Sequence, residues 1–455
     1  MAGVSLALRN LFGSRSYFAQ AAGYAYAGIA MSGPWLVTSV YMQLLNSLEI
    51  PGVTAETRQI FQTFVLYGYC GSMILTGLLQ LGVARHVGDR LYVGDAKGLA
   101  PAYASASLLS LLLHGAAGAT FAVLSDAGPE LAFAEMAFFG SLGLVWTGMI
   151  FLGVVRNFLL IFASFVAGMA ASFVLSWYLG PRAGLPGLMI GFAAGHALIA
   201  AALGAGLRAE FPAERPFDFG FLRTMVRNPG LVVTGLAYAA GVWIDKIVFW
   251  TSPYAVRSDF GVRSFPIYDN AAFLAYLTAA PSLALVFIRL EVSFHEKYSK
   301  FYGAIREGAD LRTIRECRRE IGRSFRLTLS RILMFQAAVT ALAILLAPEI
   351  LGWVGLDWSL YYSFRFLCIG ALLQVLMLAV LLAAIHLAFN RVALAMALAY
   401  VLVAAAGTWA SLHLGPEFYG MGNVLAGLAA LAVGYPSMSR ALSVLERRTF
   451  MSQPA

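Results

Sequence analysis

Charge is scarce in this sequence. Only 12% of its 455 residues are Asp, Glu, Lys or Arg, and 60% are hydrophobic. A soluble domain carries roughly 25% charged residues. Too few polar side chains are present to coat a water-facing globule of this size, which argues against a soluble enzyme or binding module. Cysteine is rarer still. Cys70 and Cys368 lie in apolar runs and Cys317 in a basic one, with no paired spacing for a disulfide framework or a metal site. Catalytic signatures are missing too: there is no P-loop, HExxH, GxSxG or metal-spaced Cys/His cluster, so neither an enzyme nor a cofactor is expected. No acidic residue falls at the middle of an apolar run in the first half of the chain.

What is abundant is long apolar runs, and the mean hydropathy is +0.76. A helix crossing a bilayer needs about 20 apolar residues. Runs of that kind fall at about 21–48, 60–83, 100–125, 131–155, 157–178, 186–207, 229–252, 270–291, 328–347, 363–387, 391–413 and 419–443. The expected fold is an all-α polytopic membrane protein of about twelve transmembrane helices in two six-helix bundles, 21–207 and 229–443. A linker spans 208–228, and a tail spans 444–455. The run from Ala21 is too long for the core of a signal peptide, so no cleaved leader is expected. Residues 1–20 place Val4, Leu8, Leu11 and Phe12 at helical spacing beside Arg9 and Arg15, the pattern of a helix lying in the membrane surface.

The net charge of +8 is concentrated. Eleven of the thirty-one Lys and Arg fall between Arg289 and Arg331. With both termini in the cytoplasm, twenty-five Lys and Arg lie on the cytoplasmic side and five outside, the asymmetry that orients bacterial membrane proteins. Basic residues gathered in this way set topology, and a nucleic-acid partner is not expected. Within the segment, Phe294, Tyr298, Phe301 and Ile305 form one apolar face. Asp310 is the expected N-cap of a second helix bearing Leu311, Ile314, Ile321 and Phe325. Two interfacial helices over 292–326 are expected, with Arg312, Arg315, Arg318, Arg319 and Arg323 as docking residues for anionic lipid or a cytosolic partner.

The halves resemble parallel repeats. Span 7 starts about 208 residues after span 1, and the tight 4/5 turn at Arg156-Asn157 matches a 10/11 turn at Asn390-Arg391. Such halves commonly enclose a path. Candidate path residues are the polar ones inside spans: Asp245, Lys246, Gln80, His114, His196 and Gln374. Asp245 sits in the outer third of span 7, either lining a path or paired with Arg257 or Arg263 near the interfacial Trp243 and Trp250. The histidines serve either proton relay or hydrogen bonds between packed helices. Gly33, Pro34 and Pro281 are hinge candidates, because proline removes a backbone hydrogen bond.

Several stretches together resemble one family. YAYAGIAMSGPW (Tyr24–Trp35), WIDKIVFWTSPYA (Trp243–Ala255), IYDNAAFLAYL (Ile267–Leu277), FIRLEVSFHEKYSKFYGAI (Phe287–Ile305) and LERRTFM (Leu445–Met451) are similar to PelG, the inner-membrane component of Pel exopolysaccharide export. The resemblance implies the multidrug, oligosaccharidyl-lipid and polysaccharide exporter superfamily. It implies export of a polymer rich in N-acetylated amino sugars. Its implied partners are a PelF-like cytosolic glycosyltransferase, a PelD-like cyclic-di-GMP receptor and a PelE-like membrane scaffold. It carries over no binding residues. The alternatives are a flippase for lipid-linked oligosaccharide, an ion-coupled antiporter and a structural scaffold of the synthase.

Overall fold

The computed structural model describes residues 17–126, 128–290, 295–353 and 361–451. The expected surface helix at the N-terminus, and with it Phe294, lies outside the described residues. In chain order the first helices are α1 (Tyr17–Ser47), α2 (Ala55–Tyr92), α3 (Leu99–Leu124), α4 (Pro129–Val155), α5 (Phe158–Glu210), α6 (Gly220–Arg227) and α7 (Pro229–Thr251). A two-stranded antiparallel hairpin, β1 (Val256–Arg257) and β2 (Arg263–Ser264), follows. The rest comprises α8 (Pro266–Leu277), α9 (Ala280–Ile288), α10 (His295–Arg306), α11 (Leu311–Leu345), α12 (Ala347–Trp353), α13 (Tyr361–His386) and α14 (Asn390–Leu414). A 3-10 turn at Pro416–Phe418, α15 (Met421–Ser443) and α16 (Leu445–Met451) complete it.

Among the described residues nine helices are long and apolar enough to cross a membrane. A tenth span forms if α8 and α9, bent by 40° at their break, count as one. Two more rods match expected spans. Gly184, with φ 59° and ψ −131°, divides α5 into a pair of arms, 158–183 and 185–210. Helix α1 is 31 residues long but is diluted by Gly, Ser and Tyr. The twelve rods fall where the twelve apolar runs predict them.

The two expected tight turns are also present. Arg156 and Ala388 each take positive φ, 65° and 56°, closing α4 and α13 within a few residues of the next helix. Asn157 caps α5 by accepting from the Leu160 N–H. Pro281 stands in the first turn of α9, just past the bend, as its missing N–H would require. Gly33 and Pro34 lie inside α1, where the Thr38 hydroxyl donates to the Pro34 carbonyl at 3.0 Å.

The basic segment differs from expectation. Instead of two interfacial helices ahead of a separate span, its second helix runs on into the ninth span as the single 35-residue α11. No Gly or Pro between Phe325 and Ile332 interrupts the ladder, so nothing stops the helix at the membrane surface. Asp310 caps it as predicted, accepting from the Thr313 N–H at 3.3 Å, and the Thr313 side chain holds the Asp310 carboxyl below the usual carboxylate range. Ile314, Cys317, Ile321, Phe325 and Ile332 form its buried face, while Leu311 is half exposed. Helix α10 folds back on α11 with Phe301 buried, and Lys300 reaches Glu320 at 3.0 Å.

The chain divides into two compact units. Unit 1 holds the described residues up to Met31, Ile244–Phe249 and everything described from Pro266 onward; unit 2 holds Ser32–Trp243 and Trp250–Phe265. The divisions fall within α1 and α7 rather than in the 208–228 segment. That segment is ordered in unit 2: α6 packs on α2, and Asp218 pairs with both Arg90 and Arg215.

Inside unit 2, α2 and α7 approach where glycines remove side chains. A Cβ on Gly77 would lie 2.8 Å from the Gly235 carbonyl oxygen, and one on Gly235 would meet the Gly77 carbonyl. Small residues allow this backbone contact. Gly235→Val is therefore expected to destabilise the purified protein by about 1–3 kcal/mol through overpacking, and Gly235→Ala by less. Thermal unfolding in one detergent checks both.

Candidate functional site

Asp245 sits on α7 among apolar neighbours, and its side chain is fully buried in unit 1. A carboxylate there needs hydrogen-bond donors, because an unpaired buried charge is prohibitively costly. It finds them on distant elements. The Tyr268 hydroxyl of α8 donates to Oδ2 at 2.7 Å, and the Asn423 side-chain amide of α15 donates to the same oxygen at 2.9 Å. Asn423 also donates to the Tyr268 oxygen at 3.1 Å, closing a triangle. Oδ1 accepts from the Lys246 backbone N–H at 2.8 Å, and the Lys246 ammonium stands 3.6 Å away.

Of the two alternatives for Asp245, the one that pairs it with Arg257 or Arg263 is corrected. Both arginines sit on the β1–β2 hairpin, and the carboxylate is served by Tyr268, Asn423 and Lys246 instead. Aromatic rings seal the cluster. Phe249 stacks on Tyr268 at 4.0 Å between centroids, Tyr419 meets Phe249 edge-on at 4.8 Å, and the Lys246 ammonium lies 5.4 Å from the Tyr276 ring centre. Sequence reasoning singled out Asp245 and Lys246 but missed Tyr268 and Asn423. Asn423, in the first turn of a Gly-rich span, was the available signal.

Both mid-span histidines lie buried in unit 2. His196 Nδ1 donates to the Phe192 carbonyl at 2.9 Å, so Nε2 accepts from the Tyr69 hydroxyl at 2.9 Å. The His114 ring lies within hydrogen-bond distance of the Ser110 carbonyl (2.8 Å), the Ser72 carbonyl (3.1 Å) and the Thr76 hydroxyl (3.2 Å). Each imidazole therefore ties two helices together. Glu135 on α4, which sequence reasoning passed over, is also buried, with the Ser125 hydroxyl 3.3 Å away.

Gln80 is exposed on α2. Gln374 on α13 is partly buried, and its side-chain oxygen has no donor among the described residues; the same holds for Gln336 on α11.

The arginines expected to dock a partner separate into two groups. Arg318 is committed to the C-terminal helix: it contacts the Ser443 carbonyl, and its Nε lies 3.0 Å from Glu446. Arg315 reaches toward the same carboxylate at 3.9 Å. Arg312 pairs with Glu316 one turn on. Arg319, Arg323 and Arg326 are exposed, with no ion pair among the described residues. They share one helix face at steps of four and three.

Breaking the buried pair should be costly. Asp245→Ala removes the carboxylate that faces the buried Lys246 ammonium, and a loss of about 3–5 kcal/mol is expected. Asp245→Ala with Lys246→Met should recover most of it. Thermal unfolding of the two single variants and the double variant measures the coupling, and additive losses would show that the two side chains act separately.

The fold is shared with solved transporters. One, described as the outward-facing conformation of a multidrug resistance MATE family transporter of the MOP superfamily, aligns with a TM-score of 0.68 and 16% identity over 93% of this chain and 96% of that one. A second is a MOP superfamily transporter from Pyrococcus furiosus, described as having a binding pocket of reverse polarity that suggests a different function. It aligns at 0.65 with 16% identity over 93% and 96%. An inward-facing MATE family transporter aligns at 0.57, with 14% identity over 92% and 99%. At these identities the likeness is one of fold. No curated protein matches the sequence. Residues 1–450, nearly the whole chain, match the model of the PelG family, described as "Putative exopolysaccharide Exporter (EPS-E)". Twelve helical rods on a MOP-type transporter scaffold, together with that match, place the chain in the PelG family.

Proposed function

We propose that this protein carries a growing Pel-like exopolysaccharide, rich in N-acetylated amino sugars, across the bacterial inner membrane. A PelF-like cytosolic glycosyltransferase supplies the chain, alongside PelD-like and PelE-like partners. The observation that carries the proposal is the family match over residues 1–450 on a transporter fold. Both termini face the cytoplasm, supported by the twenty-five to five division of Lys and Arg. Gly33, Pro34 and Pro281 are the hinges. The first two adjoin the division of α1 at Met31, and the third adjoins the bend between α8 and α9.

The unbroken α11 supports a docking role for its basic end. At 1.5 Å per residue, Arg312 lies about 24 Å beyond Thr328, where the apolar run begins. A rod of that length carries Arg312 and Arg319 clear of the lipid surface, within reach of an acidic protein partner, while Arg323 and Arg326, about 8 and 3 Å beyond Thr328, stand at head-group depth. Arg319, Arg323 and Arg326 are the residues available to it; Arg315 and Arg318 are already engaged.

The rival readings fare less well. A flippase for a pyrophosphate-linked lipid needs several arginines inside the bundle, whereas Arg289 and Arg331 fall at the ends of their spans and the deeper cation is Lys246. An ion-coupled antiporter needs a carboxylate deep in a bundle and free to exchange its cation; Asp245 already holds Lys246 and two further donors, and Glu135 lies in the second turn of α4 rather than at mid-span.

Two experiments test the proposal. Inverted membrane vesicles containing the glycosyltransferase and scaffold should accumulate polymer in their lumen only when this chain is present; equal accumulation without it leaves the chain a scaffold. Charge reversal of Arg319, Arg323 and Arg326 together should abolish co-purification of the glycosyltransferase while membrane insertion is unchanged. Because Cys70, Cys317 and Cys368 are all buried, a cysteine placed at Arg323 can also be labelled cleanly to report its side of the membrane.

A further inference from the structure

The geometry points to a saccharide subsite in unit 1, walled by the first turns of α13 and by the 3-10 turn Pro416–Phe418, that holds one pyranose ring of the exported polymer. The inference rests on the export reading above. A cavity of about 250 Å3 lies there, lined by Tyr362, Arg365, Phe366, Ile369, Glu417 and Phe418. Sites for drug-sized ligands start near 300 Å3, so the room suits a single sugar ring rather than an oligomer.

The lining matches that ligand in kind. A pyranose has a C–H face and a rim of hydroxyls. Tyr362, Phe366 and Phe418 offer rings whose electron-rich faces attract polarised C–H bonds. The wall itself is almost wholly apolar, so the polar contacts fall at its rim, where Glu417 can accept from hydroxyl protons and Arg365 can supply a fork of N–H donors. The two charges are not spent on each other: among the described residues no ion pair joins Arg365 to Glu417, and the guanidinium lies 5.3 Å from the Tyr361 ring centre. Tyr362 is 49% exposed.

Local structure explains why these residues meet. Tyr362, Arg365, Phe366 and Ile369 recur at three- and four-residue steps, so they share one face of α13. Opposite them, the 3-10 turn is delivered by Gly420 at φ 92°, where an added Cβ would stand 3.0 Å from Leu367 and 3.1 Å from Phe366. A residue without a side chain lets the turn seat directly against α13, so Glu417 and Phe418 face the α13 residues across a fixed gap. This is the start of the tenth span. The charge distribution puts it at the outer end of the bundle, where a polymer leaves the membrane.

The test uses full-length protein in lipid nanodiscs and chitotetraose as the probe, followed by calorimetry. Saturable binding is expected, and Tyr362→Ala and Glu417→Gln should each weaken it about tenfold, roughly the loss of one stacking or charged contact. Tyr362→Trp, which keeps an aromatic face, should bind like the parent protein and controls for folding. The proposal is overturned if chitotetraose binds parent and Tyr362→Ala proteins equally, or binds neither. The vesicle assay separates the two levels: polymer uptake with no chitotetraose binding removes the subsite and leaves export standing, whereas no uptake removes the export reading itself.

Discussion

In hydrocarbon every polar group must find its partner within the protein, and this one condition shapes both the helices and what lies inside them. Helices satisfy the backbone, so the places where a helix is interrupted are informative. Gly184 splits α5, the 278–279 break bends α8 against α9, and Pro34 withdraws a donor from α1. The same condition governs side chains. Asp245 is tolerable only because Tyr268, Asn423 and Lys246 converge on it, and His114 and His196 because each bonds across to a second helix.

Charge is therefore handled differently inside and outside the spans. Within them, the ionic centre of unit 1 balances itself, with one carboxylate against one ammonium and aromatic rings around both. Beyond them, balance is not required. The free end of α11 gathers arginines, two of which are drawn toward Glu446 of α16 while three others remain exposed. Arg319, Arg323 and Arg326 stay unneutralised on that face among the described residues.

The spans were legible because bilayer thickness dictates a run length that composition reveals directly. The turn at Arg156 was legible from a short polar interruption, the second turn fell at Ala388 just ahead of the expected Asn390-Arg391, and the cap at Asp310 was legible from its place before an amphipathic pattern. The end of the basic segment was not. Its polar and apolar portions read as two elements because hydropathy changes sharply near Thr328, yet the backbone has no reason to break there. Hydropathy reports solvent, not helix continuity, and here the two diverge. The pairing of the basic residues was hidden for a similar reason: one-dimensional charge density cannot say that Arg318 already has a partner on the last helix.

By itself the sequence determined that this chain crosses a membrane many times, which end of each helix is basic, and where each span lies. Those properties follow from local composition set against a slab of fixed thickness. The tertiary structure alone decided that Asp245 answers to Asn423, 178 residues away, and that Gly77 meets Gly235. It alone decided that Tyr362 and Glu417 face one cavity. Such pairings depend on how helices pack, and packing is settled by shapes meeting across the fold rather than by any neighbouring stretch of chain.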